Sequence, residues 1–180
     1  MRKVLKSSLY VKRPWKNRLG TTQEIIVWPE GAEDKFTWRI SLADLKDSGA
    51  FSVYPDMDRI LVVLEGKEIE LSHAGNHLAL PPMTPYPFDG ALEVFAGISV
   101  PGRDLNLMMR KNMARGKITV LSGKNTIKVT PHFLGIFSTG KLLVDGESLD
   151  GNDFFFLSEE RDKAITVDGL EKYLLVEIDL

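Results

Sequence analysis

FTWRISLA, residues 36–43, alternates without a break: Phe36, Trp38, Ile40 and Leu42 fall on one face of an extended chain, and Thr37, Arg39 and Ser41 on the other. A period of two predicts a half-buried β-strand. The neighbouring segments repeat the signal. In DLNLMMR, residues 104–110, Asp104, Asn106, Met108 and Arg110 oppose Leu105, Leu107 and Met109. DRILVVLEG, residues 58–66, is apolar on both faces between Arg59 and Leu64, as a central strand would be, and Glu65-Gly66 suits a turn into KEIEL. KITVLSG, NTIKVT, FLGIFST, KLLVDG, DFFFLS, KAITVDG and KYLLVEIDL extend the series to the C-terminus.

Helical signal is weak. SLADLKDSG places Leu42 and Leu45 at helical spacing, and DLNLMMRKNMARG has some helical composition, but glycine and β-branched residues interrupt the rest of the chain every eight to twelve residues. The expected class is all-β, a sandwich or barrel. LPPMTPYPFDG, residues 80–90, reads as a rigid extended connection, and hydrophobic content dips near RKNMARGK, residues 110–117. This places the expected boundary between an N-terminal unit, 1–112, and a closely packed C-terminal unit, 113–180, with strands open to exchange between the halves. An internal echo supports two similar halves: RILVVLEGKEIELSHAGNHLALPPMTPYPFDG aligns by pattern with LGIFSTGKLLVDGESLDGNDFFFLSEE, matching Gly66 to Gly140 and Phe88 to one of Phe154 to Phe156.

Composition bounds the task. A 180-residue chain can bury a sizeable core, and a net charge of -2 supplies no field to recruit nucleic acid. With no cysteine, disulfides, thiolate nucleophiles and Cys-ligated zinc are excluded. The basic start MRKVLKSSLYVKRPWK lacks an apolar signal-peptide core, and no window approaches the ~18 uncharged apolar residues that span a bilayer, so a cytoplasmic location away from membranes is expected.

Five motifs carry a family likeness. WKNRLGTTQEI, WRISLA, GAFSVYPDMDRILVVLEG, PFDG and DLNLMMR, in this order and spacing, resemble the HutD/Ves family of cupin-like proteins. The resemblance implies a bicupin, two double-stranded β-helix (jelly-roll) barrels in one chain, linked to histidine utilisation or stress response and without a settled catalytic activity. Cupins pair by exposed strands, so a homodimer is compatible with it. One position departs from the family: members carry a glycine-rich turn where Asn17 is followed here by Arg18 and Leu19 before Gly20.

Familiar catalytic patterns are missing. Many cupins hold a metal on two or three histidines and a carboxylate, whereas this chain has only His73, His77 and His132, and Gly75 and Asn76 make HAGNH a turn. No metal and no cofactor are expected. Ser41 and Ser52 lie in no G-x-S-x-G elbow, and GKNT lacks the upstream glycine of a phosphate loop.

What remains is a polar set on strands that otherwise build a core. Arg39 and Ser41 share a strand face, as do Asp104 and Asn106, and Thr22 and Glu24. If these faces turn inward together they line a pocket, because a core seldom tolerates so many polar groups. A guanidinium matches a carboxylate bidentately, which suits Arg39 or Arg59 to an acidic ligand. Asn17 and Asn106 both donate and accept, which suits an amide, formamide or imidazole. The pocket candidates are therefore Asn17, Thr22, Glu24, Arg39, Ser41, Arg59, Asp104 and Asn106. Each residue alone has a competing reading, in which Arg39 with Asp104 or Glu24 is a buried ion pair joining two strands. The expected function is binding of a small polar or acidic metabolite, and the resemblance to a histidine-utilisation family implies urocanate, formylglutamate or a related acid as the first ligand class. The alternatives are a metal-independent isomerase or hydrolase with Glu24 or Asp104 as base, and an interaction or oligomerisation module with no ligand.

Overall fold

The computed structural model describes residues 1–14, 21–32 and 35–180. Its strands in chain order are β1 (Arg2–Leu5), β2 (Val11–Pro14), β3 (Thr21–Trp28), β4 (Trp38–Leu45), β5 (Gly49–Ala50), β6 (Met57–Glu65), β7 (Ile69–His73), β8 (Asn76–Leu80), β9 (Tyr86–Asp89), β10 (Phe95–Gly97) and β11 (Gly102–Arg110). They continue as β12 (Arg115–Ser122), β13 (Asn125–Lys128), β14 (Phe133–Ser138), β15 (Leu142–Val144), β16 (Glu147–Leu149), β17 (Phe154–Ser158), β18 (Ala164–Asp168) and β19 (Lys172–Asp179). Among the described residues there is no α-helix, and a short 3-10 turn lies at Ser7–Leu9. Among the described residues no helix is long and apolar enough to cross a membrane.

Local chemistry explains the turns. HAGNH closes the β7–β8 hairpin through a two-residue loop, Ala74 and Gly75, whose φ values of 47° and 79° both lie in the left-handed region. Two positive φ angles in a two-residue loop match the right-handed twist of the strands they join. Gly66, at φ 100°, turns β6 toward β7, and an added Cβ there would meet the Pro101 carbonyl oxygen at 3.2 Å. Ser41 to Leu45 continue β4, so the helical spacing of Leu42 and Leu45 is overridden by pairing with β3 and β11.

The chain divides into two compact units, 11–114 and 1–10 with 115–180. Residues 1–10 were grouped by sequence with the N-terminal half; they join the second unit because β1 completes its sheet, Arg2 opposite Leu157 through Leu5 opposite Phe154. Buried Asp153 then fixes the following residues, accepting from Lys6 Nζ at 2.7 Å and from the Ser7 amide at 2.9 Å.

In the first unit a six-stranded sheet, ordered β2-β3-β4-β11-β6-β9, shares a core with a four-stranded sheet, β5-β10-β7-β8. That core holds Leu45, Leu61, Val63, Leu71, Phe88 and Ala96 among others. The second unit pairs a five-stranded sheet, β1-β17-β14-β19-β12, with β13-β18-β15-β16 around Leu134, Ile136, Phe155, Leu157, Tyr173 and Leu175. The pairing order repeats: β4-β11-β6-β9 corresponds to β12-β19-β14-β17, and β5-β10-β7-β8 to β13-β18-β15-β16. Gly66 and Gly140 follow corresponding strands, and Phe88 lies on β9, the counterpart of the β17 that carries Phe154 to Phe156.

Candidate functional site

Register decides which side chains meet. Across β3, β4, β11, β6 and β9, three successive rows share the face that lines the core of the first unit. Thr22, Ala43, Asp104 and Val63 form one row, and Glu24, Ser41, Asn106, Leu61 and Tyr86 the next. Val27, Arg39, Met108, Arg59 and Phe88 form the third. Seven of the eight sequence candidates therefore lie on one face; Asn17 falls outside the described residues, as do the other residues of WKNRLG. The expectation that β4 is half-buried needs correction. Its apolar stripe, Trp38, Ile40 and Leu42, is buried, and Ser41 on the opposite face is 3% exposed.

The face is graded. Its arginine row is polar, whereas Asp104 sits between Ala43 and Val63, beside the apolar end of the core that contains Leu45 and Leu71. Asp104 is 2% exposed, and its Oδ1 has no hydrogen-bond partner among the described residues. Burial pushes its carboxyl up to about 7, against the opposing pull of the Arg59 charge and a backbone hydrogen bond at Ala43.

Arg59 is enclosed rather than ion-paired. Its Nη1 donates to the Ser52 carbonyl at 3.0 Å and its Nε to Asn106 Oδ1 at 3.4 Å. Its Cζ lies 4.8 Å from the Phe88 ring centroid and 5.7 Å from those of Phe51 and Tyr54. Desolvation lowers its pKa to about 10, with the Asp104 and Tyr54 charges opposing and Arg39 reinforcing, so the guanidinium stays charged at neutral pH. Gly90 holds the enclosing loop: it accepts from the Tyr54 amide at 2.7 Å and donates to the Met57 carbonyl at 2.8 Å.

Arg39 is also without a carboxylate among the described residues. Its Nη2 reaches Met108 Sδ at 3.2 Å, a weak acceptor, and its Cζ stands 4.6 Å over the Phe36 ring. Its buried Nε has no hydrogen-bond partner among the described residues. The alternative in which Arg39 pairs with Asp104 or Glu24 is thus overturned: Arg39 and Asp104 lie two rows apart, and Glu24 is bound by Arg13, Nε to Oε2 at 3.2 Å.

Two of the three histidines are engaged in side-chain hydrogen bonds. His73 Nε2 is hydrogen-bonded to the Tyr86 hydroxyl at 2.8 Å, and His132 Nδ1 to Asp179 Oδ1 at 2.8 Å. Among the described residues no three His, Asp or Glu side chains group closely enough to hold a metal.

The HutD family model matches residues 7–175. The chain belongs to the HutD family. Its backbone superposes on HutD from Pseudomonas fluorescens SBW25 with a TM-score of 0.91 at 28% identity, covering 99% of this chain and 98% of that one. A conserved protein of unknown function from Pseudomonas aeruginosa PAO1 gives 0.86 at 27% identity with both chains fully covered. A bacterial pirin from Escherichia coli, solved in complex with nickel(II), shares the fold at 11% identity, TM-score 0.69, over 100% of this chain and 99% of its own.

Sequence reading missed several residues around the two arginines of this HutD-family chain. Arg13 stands opposite Thr22 in the β2–β3 pairing, which brings it to Glu24. Phe51 and Tyr54, within GAFSVYPDMDR, and Phe88, within PFDG, enclose Arg59, their π faces committed to a cation. The available signal was two aromatics placed just before a strand-borne arginine.

Proposed function

We propose that this HutD-family protein binds a small carboxylate within its first unit, Arg39 and Arg59 holding the anion and Asn106 and Ser41 contacting the rest of the ligand. The single observation that carries the reading is two guanidiniums on one core-facing sheet side, neither ion-paired among the described residues, one with a buried donor unused. A buried cation without a counterion is costly, and an incoming carboxylate offsets that cost. The second unit supplies a contrast. Its corresponding sheet face carries Leu134, Ile136, Phe155, Leu157 and Leu175, and Lys117 and Glu177 on that face are paired with each other at 3.0 Å. Glu24 serves to hold Arg13, and Thr22 lines the edge of the same face.

Family membership makes urocanate, formylglutamate and related histidine-pathway acids the first ligands to test, in a cytoplasmic accessory or regulatory role. A thermal-shift titration with acetate, urocanate and N-formylglutamate tests this. A ligand at 100 times its dissociation constant adds ~2.7 kcal/mol to stability. A raised midpoint that is lost in both Arg39→Met and Arg59→Met supports the reading, and unmoved midpoints with all three acids overturn it.

A second reading is favoured by Asp104 alone. A carboxyl at about 7 is poised for proton transfer at neutral pH, as a general acid or base requires. Conversion of either acid by the wild type, absent in Asp104→Asn, would replace the binding function with an enzymatic one.

A further inference from the structure

We propose that Asp104 is the proton-carrying group of this site, so that a small carboxylate enters the first unit together with one proton. The proposal rests on the carboxylate-binding reading and adds the charge state in which binding occurs.

The geometry is specific to Asp104. It is the acid on the core-facing side that has no basic partner within ion-pair distance among the described residues, since Glu24 is held by Arg13. Its row neighbours, Ala43 and Val63, offer no side-chain donor, the Ala43 backbone supplies one hydrogen bond to the carboxyl, and Oδ1 has no partner among the described residues. Such an oxygen is stabilised far better as a neutral carboxyl than as an anion.

The surrounding charges set the direction of coupling. From β6, Arg59 draws the carboxyl toward ionisation, and from β4, Arg39 stands two rows away, next to Met108. Asp44, also on β4, opposes ionisation while pairing with Arg103 at 3.3 Å. From β3, Glu24 is neutralised by Arg13 of β2, and from β7, His73 is hydrogen-bonded to Tyr86 of β9. The core-facing Ala96 of β10 carries no charge. Arg59 is therefore the cation that holds the Asp104 proton loosely. An anion seated on Arg59 screens that charge and places a second negative group nearby, and both effects drive Asp104 to take a proton from solvent. No bond to carbon forms or breaks.

The test uses the whole protein and acetate, whose charge is constant from about pH 6 to about pH 9. Carbon-13 NMR of aspartate-labelled protein, with Asp104 assigned by comparison with Asp104→Asn, should show its carboxyl titrating well above the other aspartates and higher again with acetate. Acetate affinity should weaken about tenfold per pH unit above the ligand-free midpoint, and Asp104→Asn should remove that slope. Calorimetry of the wild type in buffers of different ionisation enthalpy should register proton uptake, a readout independent of any variant's folding. An Asp104 resonance that titrates with the ordinary aspartates overturns the proposal while leaving carboxylate binding intact, as does an unchanged slope in the variant. Failure of acetate to bind at any pH removes the binding reading and the coupled uptake with it.

Discussion

Arg13 and Glu24 form an ion pair across β2 and β3, with Glu24 8% exposed and the Arg13 side chain 49% exposed. The pair engages the carboxylate that, among the described residues, occupies the row next to the arginines. Arg13→Ala leaves a buried acceptor charge with less support, and the half-exposed position of Arg13 limits the cost to about 1 kcal/mol. Chemical denaturation should show that loss. Glu24→Gln should leave carboxylate binding unchanged within about twofold, since Glu24 reaches neither Arg39 nor Arg59.

Arg59 is held by shape as much as by charge. Arg59→Met keeps a long apolar stem among Phe51, Tyr54 and Phe88, so the fold should survive, with a loss of about 1–2 kcal/mol from the missing hydrogen bonds. Carboxylate affinity should fall at least about tenfold, as expected when a charge-assisted contact is lost. Arg59→Lys should not restore it, because a single ammonium cannot serve the Ser52 carbonyl, Asn106 and a ligand in the same fork geometry. Isothermal titration with acetate compares the three proteins.

Stability should fall as pH rises through the window that Asp104 spans. Its carboxyl keeps a proton up to about 7 in the native state, against an ordinary value of 3.8, so between the two the native state binds more protons than the unfolded chain. The destabilisation reaches on the order of 4 kcal/mol above neutrality and vanishes below the ordinary aspartate range. Asp104→Asn should therefore melt higher than the wild type above neutral pH, and the gap should close toward pH 4. Thermal midpoints across that range decide it.

Gly90 packs where no side chain fits. An added Cβ would lie 2.5 Å from the Tyr54 carbonyl oxygen and 2.6 Å from that of Met57, both backbone atoms. Gly90→Ala should cost about 2–4 kcal/mol, as an overpacking substitution that only backbone movement can relieve. Because the same loop encloses Arg59, the variant should also weaken carboxylate binding beyond its loss of stability, which titration well below the melting temperature can separate.

Much of the fold was legible. Period-two alternation located β4 and β11, an unbroken apolar run located β6, and short strand-like segments located β12 to β15 and β17 to β19 but not the three-residue β16, because each strand's pattern is local to its own residues. The HAGNH turn was readable for the same reason. The face of β4 that lines the first unit's core was not: Trp38, Ile40 and Leu42 look like the core side, yet Leu45 joins that core on the side of Arg39 and Ser41. When both faces of a sheet are buried, hydrophobicity no longer separates inside from outside. The partners of the arginines were equally hidden. Glu24 appeared available to Arg39 until pairing with β2 gave it to Arg13, and the pairing of β6 with β9 set Phe88 beside Arg59, which Phe51 and Tyr54 also face.

By itself the chain's order of residues determined an all-β protein with repeated strand order, the positions of its turns, and the polar side chains placed on core-forming strands. These follow from short-range rules of alternation and backbone freedom. Only the tertiary structure decided that Arg39, Ser41, Arg59, Asp104 and Asn106 share one face, that Arg59 is ringed by aromatics, and that Asp104 has no ion-pair partner among the described residues. Each of these depends on the register of β11 against β4 and β6, and a one-residue slip in either pairing would turn the polar set to the other side of the sheet.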